Sequence, residues 1–401
     1  MDKEVLEVVL RKFARESNIE RIMEMKIEAA FFKGEDFIEN MYRATLKVVM
    51  GSGRISTKSF IFKKIKRETP ETFKDYRFTN AETSVYLRVL PQMDYLMEEF
   101  KDTEGPLWCT LINYSHVDSV IMLEDLTASG FNTVDRTKLQ DIEHARLVLR
   151  NLGRFHAMAK VLEERGQISK DGYKPWPFLY NEACYKALVF GGLMALVKGM
   201  RATWGKEWSE TADLLGKITF EDFEKRLKRC VNFGKDIFRC LNHGDLWNNN
   251  MMFKYNWEGK PIEIRFVDFK VPHYNSPCLD VIYYIYSCIK PNLRRQKYKS
   301  LIKLYHESLT SSLDRFDFKG SKPSLNEIEQ TMERLSFSIL AIFASGYAID
   351  TSKTDNPIDM RRVSETKGEE GFNIRLFSEA GIKENIAEDL KIFVKKIQEK
   401  I

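Results

Sequence analysis

The sequence predicts an α+β protein in two lobes, a β-rich N-terminal lobe over residues 1–124 and a mainly helical C-terminal lobe over residues 125–401. Three observations lead to this prediction. The 401 residues exceed what one small hydrophobic core usually organises. Alternating and β-branched apolar residues are typical of strands up to about residue 123. Helical apolar periodicity dominates after residue 125.

The N-terminal lobe is predicted to contain a first amphipathic helix, five strands and one helical stretch. Gly51-Ser52-Gly53 indicates a hairpin turn between the second and third strands. Residues 71–100 change to helical periodicity. Pro91 is expected to break that stretch in two, because proline lacks the backbone donor that a helix interior needs. The predicted strands are Met25–Phe32, Tyr42–Met50, Ser59–Ile65, Leu107–Tyr114 and Ser119–Leu123.

The C-terminal lobe is predicted to be helical except for one hairpin. The strands of that hairpin are Met251–Tyr255 and Ile264–Val267, and a polar turn containing Gly259 and Pro261 joins them. The predicted helices cover residues 135–163, 179–199, 206–230, 279–290, 295–315, 325–348 and 381–400.

The composition excludes several classes of protein. A net charge of +5, from 63 basic and 58 acidic residues, is too weak to indicate nucleic-acid binding. The longest apolar runs, 187–197 and 336–349, are shorter than the roughly 18 to 20 residues that span a bilayer. Six cysteines without a Cys-x-x-Cys pair are typical of free thiols in a reducing compartment. We therefore expect a cytoplasmic protein with no nucleic-acid or membrane partner, and a monomer is favoured.

Residues suited to phosphoryl transfer lie in one segment, His243-Gly244-Asp245-Leu246-Trp247-Asn248-Asn249-Asn250, and in the hairpin that follows it. Transfer from ATP needs a carboxylate at the acceptor hydroxyl and oxygen ligands for Mg²⁺. Asp245 is the candidate catalytic residue, which would orient the hydroxyl and accept its proton. Asn250 and Asp268 are the candidate metal ligands. Because they flank the hairpin at its two ends in the chain, we expect both side chains to point the same way.

The His-Gly-Asp-x-Trp-x-x-Asn pattern resembles the catalytic loop of the ecdysteroid kinase-like proteins of insects, which are relatives of choline and aminoglycoside kinases. Val120–Phe131, Leu152–Ala157 and Cys278–Asp280 extend the resemblance, which runs in family order from about residue 30 to about residue 350. The resemblance implies a protein-kinase-like two-lobed fold. It also implies ATP- and Mg²⁺-dependent phosphorylation of a small-molecule hydroxyl, on an ecdysteroid-like steroid or a xenobiotic alcohol.

The resemblance also implies which residues bind the nucleotide. Lys63 matches the lysine that contacts the phosphates, although Lys64 is a rival because a one-residue shift of register exchanges the two faces of a strand. Glu82 would form the ion pair that positions this lysine. The backbone around Glu124 and Leu126 would offer a donor and an acceptor to adenine.

Two further residues match positions that support the catalytic loop, and three depart from the family pattern. His243 and Asp280 are expected to hold the loop and not to transfer protons. Asp36 and Glu39 stand where relatives usually carry Asn and Ser in the phosphate loop, and their charges oppose nucleotide binding. Lys270 stands where the family commonly has Gln.

These departures leave two alternatives to an active small-molecule kinase. One is a catalytically weak, pseudokinase-like protein that binds nucleotide or steroid without turnover. The other is a protein kinase, which the sequence disfavours because Asp280 follows Asp268 by only twelve positions, leaving little room for a peptide platform.

Overall fold

A computed structural model gives the structure of the chain. The described residues contain antiparallel sheets and many helices, which confirms the predicted α+β class. The chain divides into two compact units, Met1–Thr69 with Trp108–Asn132, and Pro70–Leu107 with Thr133–Ile401. The structure describes residues 3–12, 18–30, 39–65, 78–115, 120–173, 183, 186–234, 237–354, 356–373 and 375–399.

The first unit contains a five-stranded antiparallel sheet. Its strands are β1 (Ile19–Ala29), β2 (Glu39–Met50), β3 (Ile55–Ile65), β4 (Leu111–Ser115) and β5 (Val120–Glu124). Their order across the sheet is β1-β2-β3-β5-β4. The five predicted strands are confirmed, although β1, β2 and β3 begin earlier than predicted and β4 begins later. Phe31, Phe32 and Ser119, at the ends of two predicted strands, lie outside the described residues.

The predicted turn joins β2 to β3. The Gly53 N–H donates to the Met50 carbonyl (2.7 Å), and the Met50 N–H donates to the Arg54 carbonyl (2.9 Å). Gly53 has a φ of 77°, in the left-handed region that glycine adopts without steric cost. This turn fixes the pairing register of the two strands.

The two faces of β3 have different environments. Phe60 and Phe62 pack in a core that includes Leu6 and Leu10 of an N-terminal helix, α1 (Lys3–Lys12). Because side chains alternate along a strand, Lys63 lies on the opposite face from Phe62. Lys63 is nevertheless only 4% exposed, so this sheet face places an amine in a buried environment.

The second unit is mainly helical, and two long helices, α4 (Ile142–Glu164) and α9 (Pro291–Arg315), pack against each other. A Cβ atom at Gly153 would lie 2.8 Å from the Leu309 nitrogen, so glycine permits this close approach. The other helices are α2 (Phe78–Ser84), α3 (Leu90–Glu99), α5 (Gly191–Thr203), α6 (Ser209–Gly216), α7 (Phe220–Val231), α8 (Cys278–Cys288), α10 (Leu325–Arg334), α11 (Ser338–Ile342), α12 (Ala348–Thr351), α13 (Met360–Glu365) and α14 (Ala380–Glu399).

Short strands accompany these helices. A two-residue strand, β6 (Asn132–Thr133), lies where the chain passes from the first unit to the second. The others are β7 (Cys240–Asn242), β8 (Met251–Tyr255), β9 (Pro261–Phe266) and β10 (His273–Asn275). The predicted hairpin corresponds to β8 and β9, which pair antiparallel.

The predicted break at Pro91 was wrong. The helical run continues from α2 through a π-helical turn, Val85–Val89, into α3. Pro91 stands in the first turn of α3, where a nitrogen without hydrogen causes little loss. The widened π turn just before it changes the hydrogen-bonding pattern without ending the helix.

Other helix boundaries also differ from the prediction. The helix predicted over 179–199 lies partly outside the described residues, and its α-helical part begins at Gly191 after a π-helical turn, Lys186–Phe190. Helix α4 begins at Ile142 and not near residue 135, because the Asp141 side chain caps it by accepting hydrogen bonds from the Glu143 and His144 N–H groups. The stretch predicted as one helix over 206–230 is two helices. The Thr219 hydroxyl accepts a hydrogen bond from the Asp222 N–H at the start of α7, so a second cap starts a second helix.

One helical run of the second unit, Leu325–Thr351, is long and apolar enough by length and composition to cross a membrane. It is longer than the apolar run read from the sequence, because α10, α11, α12 and the turns between them follow one another without a break. Of its most apolar 18 residues, 61% are buried inside the protein. Core helices of globular proteins pass the same test, so the run is weak support for a membrane span.

The described cysteines are free thiols, as the sequence predicts. Cys184 lies outside the described residues. Burial raises the pKa of the Cys278 thiol to about 12, so this thiol stays protonated and unreactive.

Candidate active site

The hairpin brings two of the predicted residues to one end. Asn250 directly precedes β8, and Asp268 follows β9 by two residues. The Val267 N–H donates to the Asn250 carbonyl (3.0 Å), which ties the two ends together. At the other end of the hairpin, the Asn256 side chain accepts hydrogen bonds from the Glu258 and Lys260 N–H groups. A local turn therefore places Asn250 and Asp268 side by side.

Asn250 also contacts the predicted catalytic residue. Its Nδ2 donates to Asp245 Oδ2 (2.9 Å) and to the Asp245 carbonyl (2.8 Å). Within the described part of the chain, Asn250 Oδ1 accepts no hydrogen bond, so a neutral oxygen is available for a cation. Asn250 is buried, whereas Asp245 is partly exposed. The loop of six residues thus holds a carboxylate and an amide oxygen in one cluster.

The environment of Asp245 suits proton transfer. Burial, followed by the negative charge of Asp268, raises the pKa of Asp245 to about 7. The positive charge of Lys270 and the hydrogen bond from Asn250 act in the opposite direction. A carboxylate with a pKa near neutrality is a stronger base than an ordinary aspartate and can accept a hydroxyl proton at physiological pH.

Asp268 adopts an uncommon backbone conformation, with a φ of 69°. Residues other than glycine rarely occupy this region, and such conformations concentrate at functional sites. The Lys270 ammonium lies 3.0 Å from Asp268 Oδ2, and both side chains are largely buried, with exposures of 12% and 18%. The residue that departs from the family pattern therefore pairs with the predicted metal ligand.

The residues present fit a magnesium ion held by few protein ligands. Among the described residues, no group of three or more His, Cys, Asp or Glu side chains could hold a metal. Asn250 and Asp268 supply one amide oxygen and one carboxylate, and Mg²⁺ commonly completes its shell with phosphate oxygens and water. The ion would displace Lys270 from Asp268 or share the carboxylate with it.

Asp280 holds the start of the catalytic loop. This residue, in the first turn of α8, accepts hydrogen bonds from the backbone N–H groups of His243 (2.7 Å) and Gly244 (2.9 Å). A third hydrogen bond joins it to His156 Nε2 (3.1 Å). Burial alone would raise the pKa of Asp280, but the hydrogen bond and charge of His156 keep it below its usual range.

His243 links the loop to the hairpin. Its Nε2 donates to the Val267 carbonyl (3.0 Å), and its Nδ1 accepts from the Asp245 N–H (3.3 Å). Burial lowers the pKa of His243, so the ring is neutral and both nitrogens are used within the protein. At Gly244, with a φ of 90°, a Cβ atom would lie 2.0 Å from the Val271 carbonyl oxygen, so only glycine fits.

The predicted nucleotide residues lie in both units. Lys63 is buried on β3 of the first unit, and the rival Lys64 points to the other face of the strand and is more exposed. Glu82 is fully buried in α2 of the second unit. The ion pair between Lys63 and Glu82 stays a prediction.

Glu124 and Leu126 already use part of their backbone within the first unit. The Glu124 N–H donates to the Thr110 carbonyl (3.0 Å), and the Phe131 N–H donates to the Leu126 carbonyl (3.0 Å). The Glu124 carboxylate accepts hydrogen bonds from the N–H and hydroxyl of Thr110. An adenine at this segment would therefore need the Leu126 N–H and not the Leu126 carbonyl.

The two phosphate-loop departures cannot be placed. Asp36 and the side chain of Glu39 lie outside the described residues. The buried Asp125, which the sequence analysis did not single out, lies in the same unit. Its carboxylate accepts from Arg43 Nε (2.7 Å) and from the Ser59 hydroxyl (2.6 Å), which ties β2 and β3 to the segment after β5.

Two further residues next to Asp245 were also missed. The Tyr283 hydroxyl donates to Asp245 Oδ1 (3.4 Å), and the negative charge of Asp245 helps to raise the pKa of Asp350. Tyr283 lies one helical turn after Asp280 on α8, so the helical period could have found it. Asp350 is far along the chain, and no motif marks it.

A separate cavity lies away from these residues. It has a volume of about 310 Å³ and lies between α4 and α9. Its arginines form ion pairs with Asp102 and Glu104, which leaves little free positive charge for an anion. The lining includes Glu104, Arg150, Arg154, Glu307, Ser311 and Arg315 and none of the predicted site residues.

A base next to a pair of hard oxygen ligands is the arrangement of a phosphotransferase of the kinase-like type. The chain belongs to the ecdysteroid kinase-like family, whose sequence profile matches residues 33–318, about seven tenths of the chain. No curated protein matches the chain significantly. Family membership confirms the resemblance inferred from the motifs and implies kinase-like phosphotransferase activity in general. The matched segment contains all the predicted site residues.

Proposed function

We propose that the protein is an ATP- and Mg²⁺-dependent small-molecule kinase that phosphorylates a hydroxyl of an ecdysteroid-like steroid or a xenobiotic alcohol. The observation that carries this proposal is the cluster of Asp245, Asn250 and Asp268 at one end of a hairpin. We also propose the two-lobed arrangement of a protein-kinase-like fold, with the nucleotide on residues 1–124 and the acceptor on residues 125–401.

The chain's own residues suggest how the reaction would proceed. Asp245 would accept the proton of the acceptor hydroxyl as its oxygen forms a bond to the γ-phosphorus of ATP. The bond from that phosphorus to the bridging oxygen breaks, and ADP leaves with the electron pair. Asn250 and Asp268 would hold Mg²⁺, which supplies positive charge to the phosphate oxygens. His243 and Asp280 keep the loop in place.

Lys270 favours a second candidate function, a catalytically weak protein that binds nucleotide or steroid. Its ammonium occupies one oxygen of the carboxylate that Mg²⁺ requires. If Lys270 stays on Asp268 when ATP binds, it competes with the metal for this carboxylate. Nucleotide could then bind while transfer remains slow.

The test is an acceptor screen with purified protein, ATP and Mg²⁺, read by mass spectrometry for a gain of one phosphate. Asp245→Asn serves as the inactive variant. Asp314→Asn, at an exposed position of α9, serves as the matched control. The kinase proposal requires a phosphorylated acceptor with the wild type and Asp314→Asn but not with Asp245→Asn. Nucleotide binding without consumption of any acceptor would support the weak binder instead.

A further inference from the structure

One carboxylate oxygen of Asp350, Oδ2, is buried without a hydrogen-bond partner in the described part of the chain. The backbone nearby is well satisfied, because Arg136 Nη1 donates to the carbonyls of Asp350 (2.9 Å) and Ser352 (2.8 Å). The Arg136 guanidinium therefore binds the backbone at the end of α12 and leaves Oδ2 of Asp350 without a donor among the described residues. Buried polar atoms are rarely left unpaired, so this one calls for an explanation.

The carboxylate faces the catalytic residue through Tyr283. A Cβ atom built on Gly346 would lie 2.9 Å from the Tyr283 hydroxyl and 3.6 Å from Asp350 Oδ2, so both oxygens approach one point. The same hydroxyl donates to Asp245 Oδ1 (3.4 Å). Asp245, Tyr283 and Asp350 thus bring their oxygens close together, and a side chain at Gly346 would press on the Tyr283 hydroxyl.

We propose that Asp350 determines acceptor specificity by accepting a hydrogen bond from a second donor on the acceptor, a hydroxyl or an ammonium, near the hydroxyl that Asp245 activates. This inference rests on the proposed function and deepens it. Asp350 lies beyond the residues matched by the family profile.

The chemistry of these three residues favours such an acceptor. An acceptor with one hydroxyl leaves Oδ2 of Asp350 buried and unpaired, whereas a second donor forms a charge-assisted hydrogen bond. Sites that hydrogen-bond a substrate group discriminate strongly against analogues that lack it. Burial and the charge of Asp245 both raise the pKa of Asp350, in agreement with an environment that lacks donors. Acceptors with an anionic group at this position should be rejected.

The experiment compares three acceptors on one steroid scaffold: a mono-alcohol, its vicinal diol and its vicinal amino alcohol. The wild type, Asp350→Asn, Asp350→Ala and the control Asp314→Asn are each assayed for kcat/KM. We expect the wild type to prefer at least one two-donor acceptor over the mono-alcohol by about 100-fold. Both Asp350 variants should lose most of this preference, because their kcat/KM should fall much further for the preferred two-donor acceptor than for the mono-alcohol.

Each outcome has a defined meaning. The preferred two-donor acceptor shows whether the partner of Asp350 is a hydroxyl or an ammonium. Equal losses for all acceptors in the Asp350 variants, or an unchanged preference, would overturn the inference. Turnover of the mono-alcohol by the wild type would still support the proposed function in that case. If the wild type phosphorylates none of the three, calorimetric binding of the same acceptors decides the matter, and equal affinities for wild type and Asp350→Asn overturn it.

Discussion

Carboxylates on the two sides of the catalytic loop have opposite hydrogen-bonding environments. On one side, Asp280 accepts hydrogen bonds from two backbone N–H groups and from His156, and its pKa is lowered despite its burial. On the other side, the described residues that donate to the Asp245 carboxylate are Asn250 and, weakly, Tyr283, and its pKa is raised to about 7. Near it, Oδ2 of Asp350 accepts from none of the described residues.

This contrast distinguishes a carboxylate that holds the loop in place from one that can take part in the reaction. Three hydrogen bonds within the protein use most of the acceptor capacity of the Asp280 carboxylate, which suits it to holding the loop. A carboxylate that lacks donors is held at a cost in stability and is ready to accept a proton or a hydrogen bond from a ligand. The same residue type therefore serves two purposes, and the number of donors around it distinguishes them.

The largest effect is expected from Asp245→Asn, which removes the base and keeps the shape of the side chain. Turnover should fall by about 1,000-fold, because a positioned general base contributes roughly 10²- to 10⁴-fold. The measurement is kcat with a saturating acceptor, and Asp314→Asn should stay within about twofold. A loss of only a few-fold would show that Asp245 does not act as the base.

Asp280→Ala should affect stability more than any substitution at the unsatisfied side. It leaves the His243 and Gly244 N–H groups without their partner, so the free energy of unfolding should fall by about 3 kcal/mol. Denaturant titration measures this change, with Asp314→Ala expected within about 0.5 kcal/mol of the wild type. A fall of less than about 1 kcal/mol would contradict the bracing role.

The stability that Asp245 contributes should change with pH in the opposite direction from the stability that Asp280 contributes. Its folded pKa is about 7, above the ordinary 3.8, so the folded state binds this proton more tightly than the unfolded state. Asp245 therefore contributes stability below pH 3.8 that is lost as the pH rises through about 7.

Asp245→Asn cannot lose a proton, so its stability relative to the wild type should increase with pH. We expect a gain of roughly 4 kcal/mol between pH 4 and pH 8 in the absence of nucleotide and metal. Thermal unfolding at a series of pH values provides the comparison. Parallel curves for the two proteins would exclude the raised pKa.

The smallest effect is expected from Lys270→Gln, which frees Asp268 from its ion pair. Mg²⁺ should then bind the protein–ATP complex about fivefold more tightly, since a pair of this kind contributes roughly 1 kcal/mol. A Mg²⁺ titration of nucleotide binding measures the change. The control is Lys260→Gln, which removes an exposed ion pair with Glu143. Weaker Mg²⁺ binding by Lys270→Gln would mean that the lysine assists the site.

Much of the fold could be predicted because its signals are local. The turn at Gly51–Gly53 and the hairpin around Asn256 depend on a few consecutive residues. The helix break predicted at Pro91 was wrong because the sequence does not reveal the π turn that precedes this residue. The late start of α4 was missed because the capping hydrogen bonds of Asp141 depend on its conformation.

The residues of the candidate site likewise divide into those that local spacing predicts and those that depend on tertiary packing. Asp245 and Asn250 are five residues apart in one loop, so their hydrogen bond could be anticipated from spacing. The sequence marks Lys270 as a departure from the family pattern. Its contact with Asp268 occurs where Asp268 has a φ of 69°, which the sequence does not reveal. Asp350 was not predicted, because its approach to Tyr283 requires α8 and the distant α12 to pack correctly.

The sequence by itself determined the α+β class, the family and the loop and hairpin that carry Asp245, Asn250 and Asp268, since hydrogen bonds between near neighbours set these features. Only the tertiary structure decided which buried carboxylates are satisfied. That balance depends on donors brought from distant helices and strands, such as His156 for Asp280, and on the absence of such donors from the described surroundings of Asp350.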